Sequence, residues 1–360
     1  MISKSIYLER KSPTEEKVIR DLLRRKVGAE IMSMKEIAGG LNSLAYKIST
    51  ERNTDYFLKK YFVYKGDPRN RFLTEFSGIS FLWNNGIRAI PEPICADSKQ
   101  KIGIYSFING TKLEPGEITE KDVHAAASFL KALYVLSKTS AASKQPIASE
   151  ACFSIQSYLD CIRSRLKRFD VFPTGNGLLK DLRSYLDDEF MPFLGKIEEF
   201  VENEAQKLNI SLKEELDGHL RTLSPSDFGF HNTIRRGDGK LIFIDFEYYG
   251  WDDPAKMIAD FYLQPAVPLP HIYRESFFKV VYPCFNKDKT LIRRLPLVYV
   301  ILSLKWCLIM LNAFLKGGPS LQLYLDYSEQ LRKAKNKIGE LKNELKNRIF
   351  PISLIQSKEF

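Results

Sequence analysis

Hydrophobic and polar positions along the chain change their period partway through, and the change predicts two kinds of structure. Residues 39–50 (GGLNSLAYKIST) read as a turn entering a strand, and DYFLKKYF (Asp55 to Phe62) alternates as a second strand. In NRFLTEFSGISFLWNNGI (Asn70 to Ile87), Phe72, Phe76, Ile79, Leu82 and Trp83 recur at helical spacing. The stretch from Pro91 to Leu113 reads as two strands and a linker. From Glu117 onward the period is helical: His124 to Lys138, Cys152 to Phe169 and Leu178 to Leu208 each carry an apolar stripe. The last is too long for one simple helix, and Met191-Pro192 predicts a kink or a division within it. Residues 173–177 (PTGNG) form a loop. Leu295 to Leu315 is the most apolar segment, yet it contains Lys305 and Asn312 and reads as a buried core helix. A lysine-rich helical run resting on leucines closes the chain from Leu321 to Ile349. The pattern is α+β, with an N-terminal sheet carrying one helix and a mostly helical remainder.

The chemistry concentrates in SPSDFGFHNTIRRGDGKLIFIDFEYYGWDDPAKMIAD, Ser224 to Asp260. Asp227 is followed five places later by Asn232, and Asp245 stands thirteen places beyond that in an apolar run. Between them, Asp238-Gly239 marks a turn joining two short strands, so a hairpin would bring Asn232 and Asp245 together. Phosphoryl transfer asks for this trio: one carboxylate orients the attacking hydroxyl, while an amide oxygen and a second carboxylate hold magnesium. A D-x4-N pair alone is common, so the weight rests on the joint spacing. His231, next to Asn232, is better read as packing in the loop or lying on its substrate side than as a metal ligand.

These residues resemble the aminoglycoside phosphotransferase and choline/ethanolamine kinase family, the small-molecule branch of the protein-kinase-like fold. The family motif is H-G-D-x-x-x-x-N followed by a strand ending I-D-[FW]-E, and IDFEY at Ile244 to Tyr248 is close to the choline-kinase wording. The resemblance implies a bilobal α+β fold, with a nucleotide-binding lobe over residues 1–107 and a helical catalytic and acceptor-binding lobe over 108–360. It implies ATP and Mg2+ as cofactors, Asp227 as the catalytic aspartate, and Asn232 and Asp245 as metal ligands. Asp227-Phe228-Gly229 spells a protein-kinase motif, but by position it is the catalytic loop. Two departures stand out. The family histidine, which braces the loop, is Pro225 here and its glycine is Ser226. In D-P-x-x-D-L-A, Asp253-Pro254 is kept while Met257 replaces the second aspartate, with Asp260 three places later.

A kinase-like fold also needs a nucleotide site upstream. Gly39 and Gly40 let backbone approach phosphate, and Asn42 or Ser43 offers donors. Lys59 matches the strand lysine that neutralises phosphates; Lys60 would face the other side of the sheet. Glu75 matches its helical glutamate partner. Ser106, Phe107 and Ile108 would border the adenine edge, and Gly110 would lead into the second lobe.

Composition narrows the class further. The chain has 360 residues, 44% hydrophobic and 27% charged, with a net charge of +10, as expected of a globular protein of about two domains. The N-terminal stretch lacks the apolar core of a signal peptide. Five scattered cysteines without a C-x-x-C pair suit reduced thiols in the cytoplasm and no zinc site. Glu114 to Asp217 holds 18 acidic and 13 basic residues, net −5, which leaves +15 elsewhere. The basic residues of the closing helix alternate with Glu340 and Glu344, which makes them a solvated face. Neither nucleic-acid binding nor membrane insertion is expected, and the oligomeric state is left open.

The expected partner is a small-molecule acceptor. Glu247, Tyr248 and Trp251 follow the metal strand as candidate acceptor contacts, and Tyr249 and Trp306 are further aromatics that can equally pack a core. Aromatic faces beside a carboxylate would hold a quaternary ammonium or stack on a sugar. Sugar-like metabolites, amino alcohols and aminoglycosides all remain open. The alternative outside enzymology is a pseudokinase that binds nucleotide or a partner without turnover, for which Pro225 is the single argument.

Overall fold

The computed structural model describes residues 13–37, 42–64, 67–170, 177–315 and 326–347. The chain begins with helix α1 (Pro13–Val27), then strands β1 (Ile31–Ile37), β2 (Ser43–Thr50) and β3 (Asp55–Tyr61), helix α2 (Arg71–Asn84), and strands β4 (Pro93–Asp97), β5 (Ile102–Ser106) and β6 (Gly110–Lys112). Helices α3 (Glu120–Ser137), α4 (Ile155–Lys167), α5 (Leu178–Ser184) and α6 (Met191–Lys207) follow. Four short strands come next, β7 (Thr222–Ser224), β8 (Thr233–Arg236), β9 (Leu241–Phe243) and β10 (Gly250–Asp252). Helices α7 (Pro254–Leu263), α8 (Arg274–Val281), α9 (Leu291–Leu315) and α10 (Tyr327–Asn347) complete the described chain.

Two compact units result: one comprises residues 1–117, 135–150 and 223–251, the other 118–134, 151–222 and 252–360. The first contains a five-stranded antiparallel sheet in the order β1-β2-β3-β5-β4. Its register explains both faces. Tyr46, Leu58 and Ile104 lie in one row across β2, β3 and β5. They are buried with Ile48 and Ile102 against Ile19, Leu22 and Leu23 of α1. That helix adds to the single one expected in this region. Its signal is the spacing of Ile19, Leu22 and Leu23 behind Pro13, a residue favoured in a first helical turn.

The next row, Ala45, Lys59 and Gly103, belongs to the opposite face. There Tyr61 packs edge-on against Phe72 of α2 and Tyr105 against Phe76. Lys59 thus runs between a methyl group and a glycine, which leaves room for its buried stem. β6 joins β8 and β9 in a three-stranded sheet, with Gly239 at φ +80° in the hairpin turn between the last two. β7 and β10 pair as a two-stranded ribbon.

In the second unit α9 packs against α4, α6, α7 and α10. It is long and apolar enough to cross a membrane, but 89% of its most apolar window is buried within the protein. Its two buried cations enter ion networks. Arg294 bonds Asp253 at 2.8 Å and Asp288 at 3.0 Å, and Tyr158 donates to Asp253 at 2.9 Å. Lys305 lies 3.9 Å from Asp260, which also meets Lys256 at 3.2 Å and accepts from Trp306 Nε1 at 2.9 Å. Asp260 and Trp306 are therefore parts of a buried structural network, and Met257 is plain core, 2% exposed.

The run from Leu178 to Lys207 stays helical rather than dividing. A π-helical segment, Tyr185–Phe190, links α5 to α6, and the Met191 N–H bonds the Leu186 carbonyl, one residue beyond the α-helical partner. Pro192 lacks an N–H and crowds the carbonyl four residues earlier, and the wider turn just before it absorbs the mismatch.

Two glycines should respond oppositely to alanine. A Cβ at Gly78 in α2 would meet the Tyr249 ring at 2.5 Å, whereas one at Gly339 in α10 meets nothing within 4 Å. Gly78→Ala should destabilise, because overpacking costs about 1–3 kcal/mol against a helix-propensity gain of about 1 kcal/mol. Gly339→Ala should stabilise by about 0.5–1 kcal/mol. Urea unfolding of both variants checks the pair, and equal signs would contradict the packing described.

Candidate active site

The first unit gathers nearly all the chemistry-bearing residues. Lys59 Nζ reaches Glu75 Oε2 and Asp245 Oδ1, each at 2.7 Å. Lys59 and Glu75 are buried, at 7% and 3% exposure, while the Asp245 side chain keeps 38% of its surface open. Lys60 falls in the row with Leu44 and Ile102 on the other face, so the strand register selects Lys59. Burial alone would depress the Lys59 ammonium; Asp245 and Glu75 outweigh it and hold its pKa well above the lysine range. Burial drives Glu75 upward against the pull of Lys59. Asp245 also feels burial, but Lys59 keeps it below the usual carboxylate range.

The loop before β8 presents Asp227, its side chain 37% exposed. Phe228 and Phe230 are buried on either side of Gly229, and Phe228 packs on Phe243 of β9 with centroids 5.1 Å apart. Ser226 has φ +68°, the left-handed region in which the family motif has glycine. Its N–H is received by Ser224 Oγ at 3.0 Å, and the Asp227 N–H by the Pro225 carbonyl at 2.9 Å. A buried serine hydroxyl thus supports the turn where the family has histidine. Asn232 Nδ2 donates to the Asp227 carbonyl at 3.1 Å, and its amide oxygen accepts no hydrogen bond among the described residues. The Ile244 N–H bonds the Asn232 carbonyl at 2.9 Å, so the hairpin does bring Asn232 and Asp245 together.

One oxygen each from Glu75, Asp245 and Glu247 lies within 4.8 Å of the others. Hard oxygen donors of this kind, with the free amide oxygen of Asn232, fit magnesium. Glu247 is 4% exposed, accepts from Asn42 Nδ2 at 2.5 Å and stands 3.7 Å from Arg71 Nε. Burial, with Asp245 beside it, raises its pKa to about 7. Asn42 is therefore tied to Glu247, and Ser43 is buried opposite Tyr61 at the start of β2. Gly39 and Gly40 lie outside the described residues.

Along the expected adenine edge, the Ser106 N–H bonds the Glu92 carbonyl at 2.8 Å and the Phe107 N–H bonds Asp55 at 3.2 Å; Ile108 follows, half-buried. Tyr248 is half-buried with its ring 5.5 Å from the Arg69 guanidinium, and its pKa is pushed up to about 12, first by burial and then by Glu247. Trp251 is tied through its backbone to Pro146, and Tyr249 packs on Gly78 in the core. Neither joins the Lys59 group through a described contact. Arg71 was missed by sequence reasoning, although it stands one turn before Glu75 on the same helical face. The Asp227 contact of His231 and the Ser224 hydroxyl were also missed.

A model of the phosphotransferase enzyme family matches residues 33–269. The chain belongs to the phosphotransferase enzyme family. No curated protein sequence matches this phosphotransferase, but solved structures share its fold. A spectinomycin phosphotransferase bound to ADP and spectinomycin superposes with a TM-score of 0.62 at 16% identity, covering 88% of this chain and 93% of its own. A choline kinase from Streptococcus pneumoniae gives 0.57 at 16% identity, covering 91% and 99%. A Plasmodium vivax ethanolamine kinase gives 0.55 at 18%, covering 86% and 81%. The expected protein-kinase-like α+β fold is the one found.

The lysine assignment has a stability signature. Lys59→Ala should cost about 3 kcal/mol in urea unfolding, because removing one partner of a buried ion pair strands the others. Lys60→Ala should cost no more than about 0.5 kcal/mol. Equal losses would place the buried cation elsewhere.

Proposed function

We propose that this phosphotransferase moves the γ-phosphate of ATP to a hydroxyl of a small molecule. The reading is carried by Lys59, held at 2.7 Å by both Glu75 and Asp245, with Asp227 and Asn232 on the loop paired to the same hairpin. Lys59 meets the nucleotide phosphates with a charge that two carboxylates keep in place. Asp227 accepts a hydrogen bond from the acceptor hydroxyl, orients its lone pair toward phosphorus, and takes the proton as the new O–P bond forms and the bond to the ADP oxygen breaks. Asn232 and Asp245 would hold magnesium, which supplies charge neutralisation at the phosphates when bound. In the same proposal Ser106 to Ile108 border the base and a lobe boundary lies near Phe107. Asn42 is engaged by Glu247 and Ser43 is buried opposite Tyr61, so neither is assigned as a phosphate donor. Five free thiols support a cytoplasmic setting.

The structural neighbours act on spectinomycin, choline and ethanolamine, so acceptor class turns on this chain's own residues. The Tyr248 ring already has the Arg69 guanidinium beside it, and Glu247 is engaged by Asn42 and Arg71. An aromatic-carboxylate cage for a quaternary ammonium is poorly supported there. A hydroxyl-rich, sugar-like acceptor is the better supported class, with aminoglycosides next.

The test is ADP release from Mg-ATP across panels of sugars, amino alcohols and aminoglycosides. Asp227→Asn should cut turnover by ~10²–10⁴-fold and leave Mg-ATP affinity near wild type by calorimetry. Mg-ATP binding with no Asp227-dependent ADP release on any acceptor would replace the enzyme with a nucleotide-binding module.

A further inference from the structure

His231 has no part in the assignments above, yet it touches the group on which they depend. Its Nε2 lies 3.4 Å from Asp227 Oδ1, while Asn232 Nδ2 lies 3.5 Å from Oδ2. Both nitrogens come from one 3-10 turn, Phe230–Asn232, that folds back over the aspartate. The turn is closed by the Asn232 N–H on the Gly229 carbonyl at 3.1 Å, which also accepts from Thr233 Oγ1 at 3.1 Å. Phe230, 1% exposed, anchors it in the core. The position of His231 is therefore set by backbone geometry, and its side chain is only 18% exposed.

The surroundings of the two ring nitrogens bear on which way the imidazole is used. Nδ1 is buried and has no hydrogen-bond partner among the described residues. With the proton on Nδ1, the ring would bury an unpaired N–H and turn a lone pair toward a carboxylate. With the proton on Nε2, the buried atom is a bare acceptor and the donor nitrogen is the one 3.4 Å from Asp227 Oδ1. Either tautomer leaves Nδ1 unpaired, so the difference lies at the carboxylate, which the second arrangement faces with a donor and not with a lone pair.

We propose that His231 is a positioning residue for the catalytic step: its Nε2–H and the Asn232 amide hold the two oxygens of Asp227 so that the carboxylate keeps the orientation that receives the acceptor hydroxyl. This rests on the role given to Asp227 above. It also bears on the departure at Pro225, for this turn supplies the loop with a histidine on the far side of the aspartate.

The experiment measures ADP release from Mg-ATP with no added acceptor, water serving as the nucleophile, together with Mg-ATP affinity and thermal midpoint. His231→Leu should lower kcat by about 10–100-fold, the size typical of a lost supporting contact, with affinity and midpoint near wild type. His231→Gln, whose amide nitrogen reaches the place of Nε2, should recover most of the rate; His231→Asn, whose nitrogen falls at the place of Nδ1, should not. In an Asp227→Asn background, His231→Leu should cost little more, since it acts through that carboxylate. Additive losses, Gln no better than Leu, or a loss confined to Mg-ATP affinity would each overturn the proposal. If Leu lowers the thermal midpoint, the comparison of Gln with Asn decides. If Asp227→Asn leaves ADP release unchanged, the reading of Asp227 fails first; if it lowers release while every His231 variant stays at the wild-type rate, only this inference falls.

Discussion

Lys59 carries its charge into a place that would expel a lone ammonium. Removing an ion from water costs several kcal/mol even after relaxation, and an opposing carboxylate repays it only with good geometry and satisfied hydrogen bonds. Two carboxylates at 2.7 Å meet that condition. They also come from distant parts of the chain, Glu75 from α2 and Asp245 from the segment just after β9. Three segments are thereby bound to one nitrogen. In the row of Ala45, Lys59 and Gly103, a Cβ at Gly103 would meet the Tyr105 side chain at 2.8 Å, so the position beside the lysine has no space for a larger residue.

A second layer of charge surrounds this centre. Glu247 joins Asn42, ahead of β2, to Arg71 at the start of α2, and Arg71 is held in turn by Asp67 at 2.6 Å. Asp67 also receives Arg69, and these arginines keep its pKa well below the carboxylate range. Each anion near Asp245 thus has a cation or an amide donor assigned to it. Carboxylates crowded within 4.8 Å repel one another, so their proximity is sustained by these partners rather than by packing.

Strand period, the helix of Glu75, the Asp238-Gly239 hairpin and the D-x4-N spacing were legible from the sequence because each is local. Partner choice was not. Nothing within the Asn70 to Ile87 stretch says that Arg71 will face Glu247, a residue far along the chain, and Asn42 looked like a phosphate donor because its own neighbourhood suggests no other use. Helix α1 was passed over for a similar reason. Its apolar residues are few, and only the exposed face of a sheet still unbuilt makes them a core. The π-helical segment ahead of Pro192 escaped because periodicity shows where a helix must adjust, while the neighbours decide how.

Backbone strain shows where function takes precedence over stability. Ser226 and Asp245 both adopt φ +68°, a region that costs a side-chain-bearing residue of the order of 1–2 kcal/mol. One stands beside the proposed base and the other is the proposed metal ligand. Glycine would remove the cost at Ser226, yet Asp245 has no such option, since its carboxylate must be present for Lys59. The surrounding hydrogen bonds show how the strain is tolerated: Ser224 takes the Ser226 N–H, and the Asn232 carbonyl takes the Ile244 N–H next to Asp245. Each strained residue is flanked by a peptide fixed from outside the turn. The main chain that leads into Asp227 and Asp245 is therefore fixed by hydrogen bonds. Both carboxylates stay more than a third exposed; Lys59 holds Asp245 at 2.7 Å, and the support proposed for His231 and Asn232 falls on Asp227.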